Sequence, residues 1–163
     1  MDTEILAIIL SIIETVAVVS SLLFVGVQIR DSRRTSSGNA YQAWLETVVP
    51  FYMTLAQDET LAQMYWTGRK NIKNLDETQI PRFFYLCVNW FALMENLYIQ
   101  YKQGLIPSDV FLPWQHAFEE DLANNGFAEY WRLEADNFAP IFRQFVDSLK
   151  STSDIGDDKI SAF

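Results

Sequence analysis

The run from Ile5 to Val27, ILAIILSIIETVAVVSSLLFVGV, constrains this chain more than any other stretch, because its 23 residues hold one charge, Glu14. At about 1.5 Å rise per residue, such a run makes a helix of roughly 34 Å, enough to cross a hydrocarbon core of about 30 Å. No proline interrupts it, and its one glycine, Gly26, lies near its end. A secretory signal would need a basic start, a shorter apolar core and a small-residue cleavage site. The chain instead starts Met-Asp-Thr-Glu and its apolar stretch is too long. Residues 1–30 are therefore expected to be a retained single-pass transmembrane anchor.

The flanks predict its orientation. Asp2 and Glu4 precede the span, while Arg30, Arg33 and Arg34 follow it at once. Excess Arg and Lys marks the cytoplasmic side. The N-terminus is expected outside and everything after Arg30 in the cytoplasm. The basic cluster also suits contact with lipid headgroups. Membrane lipid is the first partner implied.

Glu14 is the anomaly in the span. A charge at the centre of a membrane helix costs about 2.5–3.5 kcal/mol on the insertion scale. About fifteen Leu, Ile, Val and Phe residues at roughly −0.4 kcal/mol each outweigh it, so the span still inserts. The carboxylate should nevertheless carry a proton or turn toward a partner or water. Its neighbours point to a partner. Ala7, Glu14, Ser21 and Gln28 recur every seven positions, with Ser11, Val18 and Val25 interleaved. That spacing keeps them on one helical face, a stripe of small and polar groups. Small residues let helices approach closely in lipid, and polar ones hydrogen-bond across the contact. Ile9, Ile13, Leu23 and Phe24 lie opposite and suit lipid. The stripe is expected to be an association face for further copies or for a membrane-protein partner.

Beyond the anchor, the 163-residue chain is rich in aromatics, with five Trp, seven Tyr and twelve Phe. That content is enough for one small cored domain. A net charge of −9 argues against nucleic acid, whose phosphates need clustered Lys and Arg. The lone cysteine, Cys87, excludes a disulfide framework and reads as a small buried hydrophobe.

Residues 31–38 read as a basic connector, through which the anchor helix either continues straight or, the favoured reading, breaks near Ser36–Gly38 with Ser37 or Asn39 capping a new helix. The expected cytoplasmic domain covers 39–150. Tyr41, Trp44, Leu45, Val48, Tyr52 and Leu55 make a helical core stripe. Pro50 falls within it and predicts a kink or a split. Asp58 should cap a helix with Leu61, Met64 and Tyr65 inward, ending near Gly68, before a polar linker over 69–75. Asp76 should cap the longest soluble helix, which carries Pro81 in its first turns and ends at Gly104. This helix is apolar on most faces and should be central, but Arg82, Asn89, Glu95, Asn96 and Gln100 interrupt it too often for a second span. After Pro107 and Ser108, a helix over 109–124 should turn Val110, Phe111, Trp114 and Phe118 inward and Glu119, Glu120 and Asp121 outward. Asn125-Gly126 should break the chain before a short helix anchored by Trp131. Asn137 should cap a last helix through Pro140, Phe142, Phe145, Val146 and Leu149. Residues 151–163 lack periodicity and read as a flexible tail. No window alternates like a strand. The expected fold is all-α: one N-terminal transmembrane helix followed by a small cytoplasmic bundle of about five or six helices.

Three short signatures carry a resemblance: an Ile/Val/Leu-rich span leading into Gln28-Ile29-Arg30, then Ala40-Tyr41-Gln42, then ENLYIQYKQG over 95–104. Together, over residues 5–149, they resemble a family of small bacterial single-span membrane-anchored helical proteins of unassigned function. The resemblance implies a bacterial inner-membrane location and supplies no catalytic residues.

Chemistry candidates are few. His116 is the sole histidine, with Glu119 and Glu120 one turn on, whereas a di-iron bundle needs two Glu-x-x-His units and zinc sites draw on several His or Cys. The six glycines are dispersed, so there is no phosphate-cradling loop. No metal, no cofactor and no enzymatic activity are expected. Asn89, Glu95, Asn96 and Gln100 form a polar cluster in the most apolar helix, read either as a buried network fixing helix register or as a small pocket. Two functions follow. One is an oligomeric scaffold or accessory subunit that presents its helical domain to a partner. The other is a homo-oligomeric ion or proton pathway lined by Glu14.

Overall fold

A computed structural model of the chain describes residues 2–160. Its first helix, α1, runs over Asp2–Gln57, so the break expected near Ser36–Gly38 does not form. Ser, Gly and Asn are poor helix formers, each about 0.5–1 kcal/mol worse than Ala. Extending a helix through them still gains a hydrogen bond per residue, whereas restarting one needs a new nucleus. Nothing lies within 4 Å of where a Cβ on Gly38 would stand, so no packing contact forces a turn there. Ser37 and Asn39 therefore sit inside a helix and cap nothing. Pro50 also lies within α1 and does not split it.

The chain divides into two units, Met1–Asn39 and Ala40–Phe163. In the first, the span side chains described from Ala7 to Ile29 are all exposed, including Leu22, Leu23 and Phe24. Among the described residues, one helix is thus long and apolar enough to cross a membrane, near the N-terminus, with none of its apolar window buried.

The second unit holds the end of α1 and five further helices: α2 Glu59–Lys70, α3 Gln79–Lys102, α4 Ser108–Leu122, α5 Asn125–Glu134 and α6 Pro140–Ile160. Short 3₁₀ turns fill Ile72–Asn74 and Ala135–Asn137. No strand occurs among the described residues, and the fold is all-α as the periodicity predicts. Local chemistry explains the boundaries. The Asp58 carboxylate accepts from the Leu61 N–H at 2.9 Å and caps α2. Asp76 accepts from the Thr78 and Gln79 N–H groups at 2.8 and 2.9 Å, while the Gln79 side chain accepts from the Asp76 N–H at 3.2 Å. This reciprocal capping box starts α3. Gly104, at φ 72°, ends the helix, with its N–H on the Tyr101 carbonyl and the Leu105 N–H on the Gln100 carbonyl, both at 2.9 Å. That pair of bonds satisfies carbonyls the helix would otherwise orphan.

Four boundaries differ from expectation. Gly68 does not end α2 but lies buried inside it, and α2 continues to Lys70. Asn125-Gly126 opens α5 rather than separating it from α4. A Cβ on Gly68 would meet the Phe83 and Leu75 side chains, and one on Gly126 would stand 1.8 Å from the Gly68 carbonyl oxygen and 2.6 Å from that of Arg69. Only hydrogen fits between these backbones. Asn137 does not cap α6, since the Ala139 carbonyl accepts the first helical bonds from Phe142 and Arg143. Its side chain donates to Glu134 instead, at 2.5 Å. Finally, α6 runs to Ile160, past the tail boundary expected at residue 151, because a proline-free stretch extends a formed helix without a second nucleus. Residues 161–163 of the expected tail lie outside the described residues.

The core is aromatic and gathers on α3, which meets α2, α4, α5 and α6. Phe91 is completely buried, and the rings of Phe118, Phe127, Tyr130, Trp131 and Phe138 stand 5.0 to 5.9 Å from it. Such offset and edge pairs add about 0.5–1.5 kcal/mol each beyond area burial. From α1, Trp44, Val48, Phe51 and Leu55 join this core. Tyr52, expected inward, is 42% exposed, and Phe51 takes the inward place. One residue along a helix is a 100° rotation, so the two neighbouring rings cannot share the inward direction.

Candidate functional site

The association face proposed from spacing is formed by one helix. Ala7, Ser11, Glu14, Val18, Ser21, Val25 and Gln28 all lie on α1, and all are exposed. The Ser21 hydroxyl donates to the Ala17 carbonyl at 2.9 Å, and Thr15 to the Ser11 carbonyl at 2.8 Å. These hydroxyls are satisfied within the helix. Among the described residues, no side chain hydrogen-bonds or pairs with the Glu14 carboxyl, and the same holds for the Ser11 hydroxyl and the Gln28 amide of the stripe. Arg30, Arg33 and Arg34 follow on the same helix, all exposed.

The polar cluster on α3 divides. Asn89, Asn96 and Gln100 line a groove of about 360 Å³ together with Ala43, Trp44 and Thr47 of α1. Asn89 and Asn96 are exposed, and Gln100 donates to Asn96 at 2.5 Å. This is a surface groove and not the buried network that was one reading, and Arg82 is likewise exposed. Glu95 leaves the cluster. Its carboxylate accepts from the Ala139 N–H at 2.6 Å and so binds the start of α6. Positions 89, 96 and 100 share a side because they are seven and four apart, whereas 95 is rotated 100° from 96.

His116 is 74% exposed, 3.8 Å from Glu119 and 3.5 Å from Glu120. Among the described residues, no three His, Cys, Asp or Glu side chains are grouped to hold a metal. Cys87 is buried, and desolvation pushes its thiol well above the usual range.

The largest correction concerns Asp121. It does not face outward with Glu119 and Glu120 but pairs with Arg69 of α2 at 2.6 Å, each side chain less than one-fifth exposed. The guanidinium carbon also stands 4.7 Å over the Trp66 ring. Burial raises the Asp121 carboxyl to about 6; Arg69 and the nearby Trp90 N–H pull it down, and Glu120 pushes it up. That indole N–H closes no hydrogen bond, and neither does the Arg69 Nε–H, although both are buried. Around the pair, desolvation raises the Tyr52 phenol to about 12 and pushes that of Tyr65 higher still, with the Asp121 charge adding to both. The signal was present in the spacing. Asp121 is three residues after Phe118 and one before Leu122, both buried, so it lies on the apolar stripe of α4. Its place in the run Glu119-Glu120-Asp121 disguised it as part of a solvated face.

No family of known proteins matches this chain, nor does any curated protein or solved structure.

Proposed function

We propose that the chain is a single-pass, membrane-anchored scaffold or accessory subunit. It self-associates through the stripe Ala7, Ser11, Glu14, Val18, Ser21, Val25 and Gln28, and presents its helical unit to a partner. The observation that carries this reading is the unpartnered Glu14 on a span whose apolar window is entirely uncovered by the rest of the chain. Such a surface needs lipid, and such a carboxyl in lipid needs a polar neighbour from another helix. The basic cluster Arg30, Arg33 and Arg34 supports an N-terminus outside and a cytoplasmic helical unit. The sequence resemblance favours a bacterial inner membrane.

The test is the size of the complex in detergent and the ion flux of reconstituted vesicles for the wild type, Glu14→Gln and Glu14→Leu. The scaffold reading expects Gln to retain assembly and Leu to dissociate it, with no flux in any sample. Assembly kept in Leu, with a wild-type flux abolished, would instead establish the Glu14-lined pathway. A monomeric wild type refutes both.

A further inference from the structure

The first turns of α3 and the last residue of α5 flank a surface groove of about 410 Å³, lined by Ile80, Pro81, Phe84, Tyr85, Val88 and Glu134. A volume of this size suits a small molecule, since such sites span about 300–1,000 Å³. On α3 the lining positions recur every four residues, which keeps them on one side of the helix. Tyr85 is 76% exposed, the most exposed of the large apolar and aromatic side chains among the described residues. Phe84 precedes it, with its ring edge-on to the buried Tyr130 at 5.4 Å. The charged member is Glu134. It ends α5, where the helix dipole places partial negative charge and favours a cation over a carboxylate. Its carboxylate accepts from the Asn137 side-chain N–H at 2.5 Å, and none of the ion pairs among the described residues involves it. Two sources of negative potential thus meet two aromatic rings and an aliphatic wall.

We propose that this groove binds a small organic cation with an apolar body, its charge between Glu134 and the Tyr85 ring and its body against Ile80, Pro81 and Val88. Aromatic faces attract weakly hydrated cations, and the attraction grows as water is displaced. The Glu134 carboxylate supplies the opposite charge, and the end of α5 adds to it. The aliphatic wall takes the ligand's apolar body out of water. The same chemistry rejects other classes. An anion would meet Glu134 and a chain of net charge −9. A calcium ion takes about six to eight oxygen ligands, and the groove offers one carboxylate. A neutral apolar molecule would use the wall and leave the carboxylate idle. The groove lies wholly within the helical unit, so its binding is separate from association of copies through the N-terminal stripe.

The full chain in maltoside micelles, labelled with ¹³C at the Ile and Val methyls, tests this with soluble probes that share a benzyl group: benzyltrimethylammonium, benzyl alcohol and benzylsulfonate. Benzyltrimethylammonium is expected to shift the Ile80 and Val88 methyl signals saturably and to bind about tenfold tighter than benzyl alcohol, with no saturation by benzylsulfonate. Glu134→Gln keeps an acceptor for Asn137 and should bring the cation down to the affinity of the alcohol. Tyr85→Ala should weaken the cation by about threefold or more, and the alcohol by less. A cation that binds the wild type no better than the alcohol overturns the proposal, as does one whose advantage survives Glu134→Gln. Shifts at the α1 methyls in place of Ile80 and Val88 overturn it as well, since they mark partition into the micelle. Should either variant not fold, the ranking of the probes on the wild type decides alone.

Discussion

Replacing Gly126 with Ala adds one methyl group at the tightest place in the helical unit. The new Cβ would stand 1.8 Å from the Gly68 oxygen and 2.6 Å from the Arg69 oxygen, where ordinary contact begins at 3.4 Å. Both opposing atoms are backbone, so no rotamer change relieves the overlap, and the nearer contact requires α2 and α5 to part by about 1.6 Å. That movement would pull Tyr65 from Phe127, whose rings now stand 6.0 Å apart, and would loosen the packing of Phe83 on both. Overpacking of a filled core costs about 1–3 kcal/mol, and occasionally more. With rigid backbone on the far side, about 3 kcal/mol is expected, or roughly 10 °C in Tm for a domain of this size. Gly68→Ala should cost less, because its Cβ meets the Phe83 ring at 2.5 Å and the Leu75 methyl at 2.8 Å, which are side-chain atoms able to shift. Gly38→Ala should be neutral or stabilise α1 by up to about 1 kcal/mol, since nothing stands within 4 Å. Urea unfolding of the detergent-solubilised chain, followed by near-UV circular dichroism, ranks the three. A Gly126→Ala chain within about 0.5 kcal/mol of wild type would refute the close crossing.

The carboxyl of Asp121, at about 6 in the fold against an ordinary 3.8, holds its proton more tightly folded than unfolded. Stability should therefore fall as pH rises from about 4 to about 6, by up to about 3 kcal/mol at 1.4 kcal/mol per pH unit. Asp121→Asn should flatten that portion of the urea-midpoint profile, and an unchanged slope would count against the burial of the pair. Glu95→Ala removes the acceptor for the Ala139 N–H and should cost about 1–2 kcal/mol, with Glu95→Gln keeping roughly half of the interaction. Hydrogen exchange at the first turn of α6 reads this directly, and a protected Ala139 amide in Glu95→Ala would show that another group serves.

What the sequence reveals and what it hides divide along a physical line. The caps at Asp58 and Asp76 and the stop at Gly104 were legible because each acts within four residues of itself. The helical periodicity was equally local, and it placed Trp44, Phe118 and Trp131 in the core. The misjudged positions are those whose role is set by a distant segment. Gly68 and Gly126 read as helix breakers, yet Gly126 faces the Gly68 carbonyl nearly sixty residues away in the chain, and Gly68 faces the Phe83 ring. Glu95 read as part of a polar cluster on its own helix, but its partner is the backbone of Ala139, a separation of 44 residues. Asp121 read as one charge among three until Arg69 supplied the fourth wall of its site. The continuity of α1 through Ser36–Gly38 follows from the same distinction. Weak formers end a helix when some contact rewards a turn, and Gly38 has no such contact, so local propensity alone was too small to stop the helix. The stripe around Glu14 stands at the far end of this scale. Its described side chains are all exposed, so no contact among the described residues marks a role for that carboxyl.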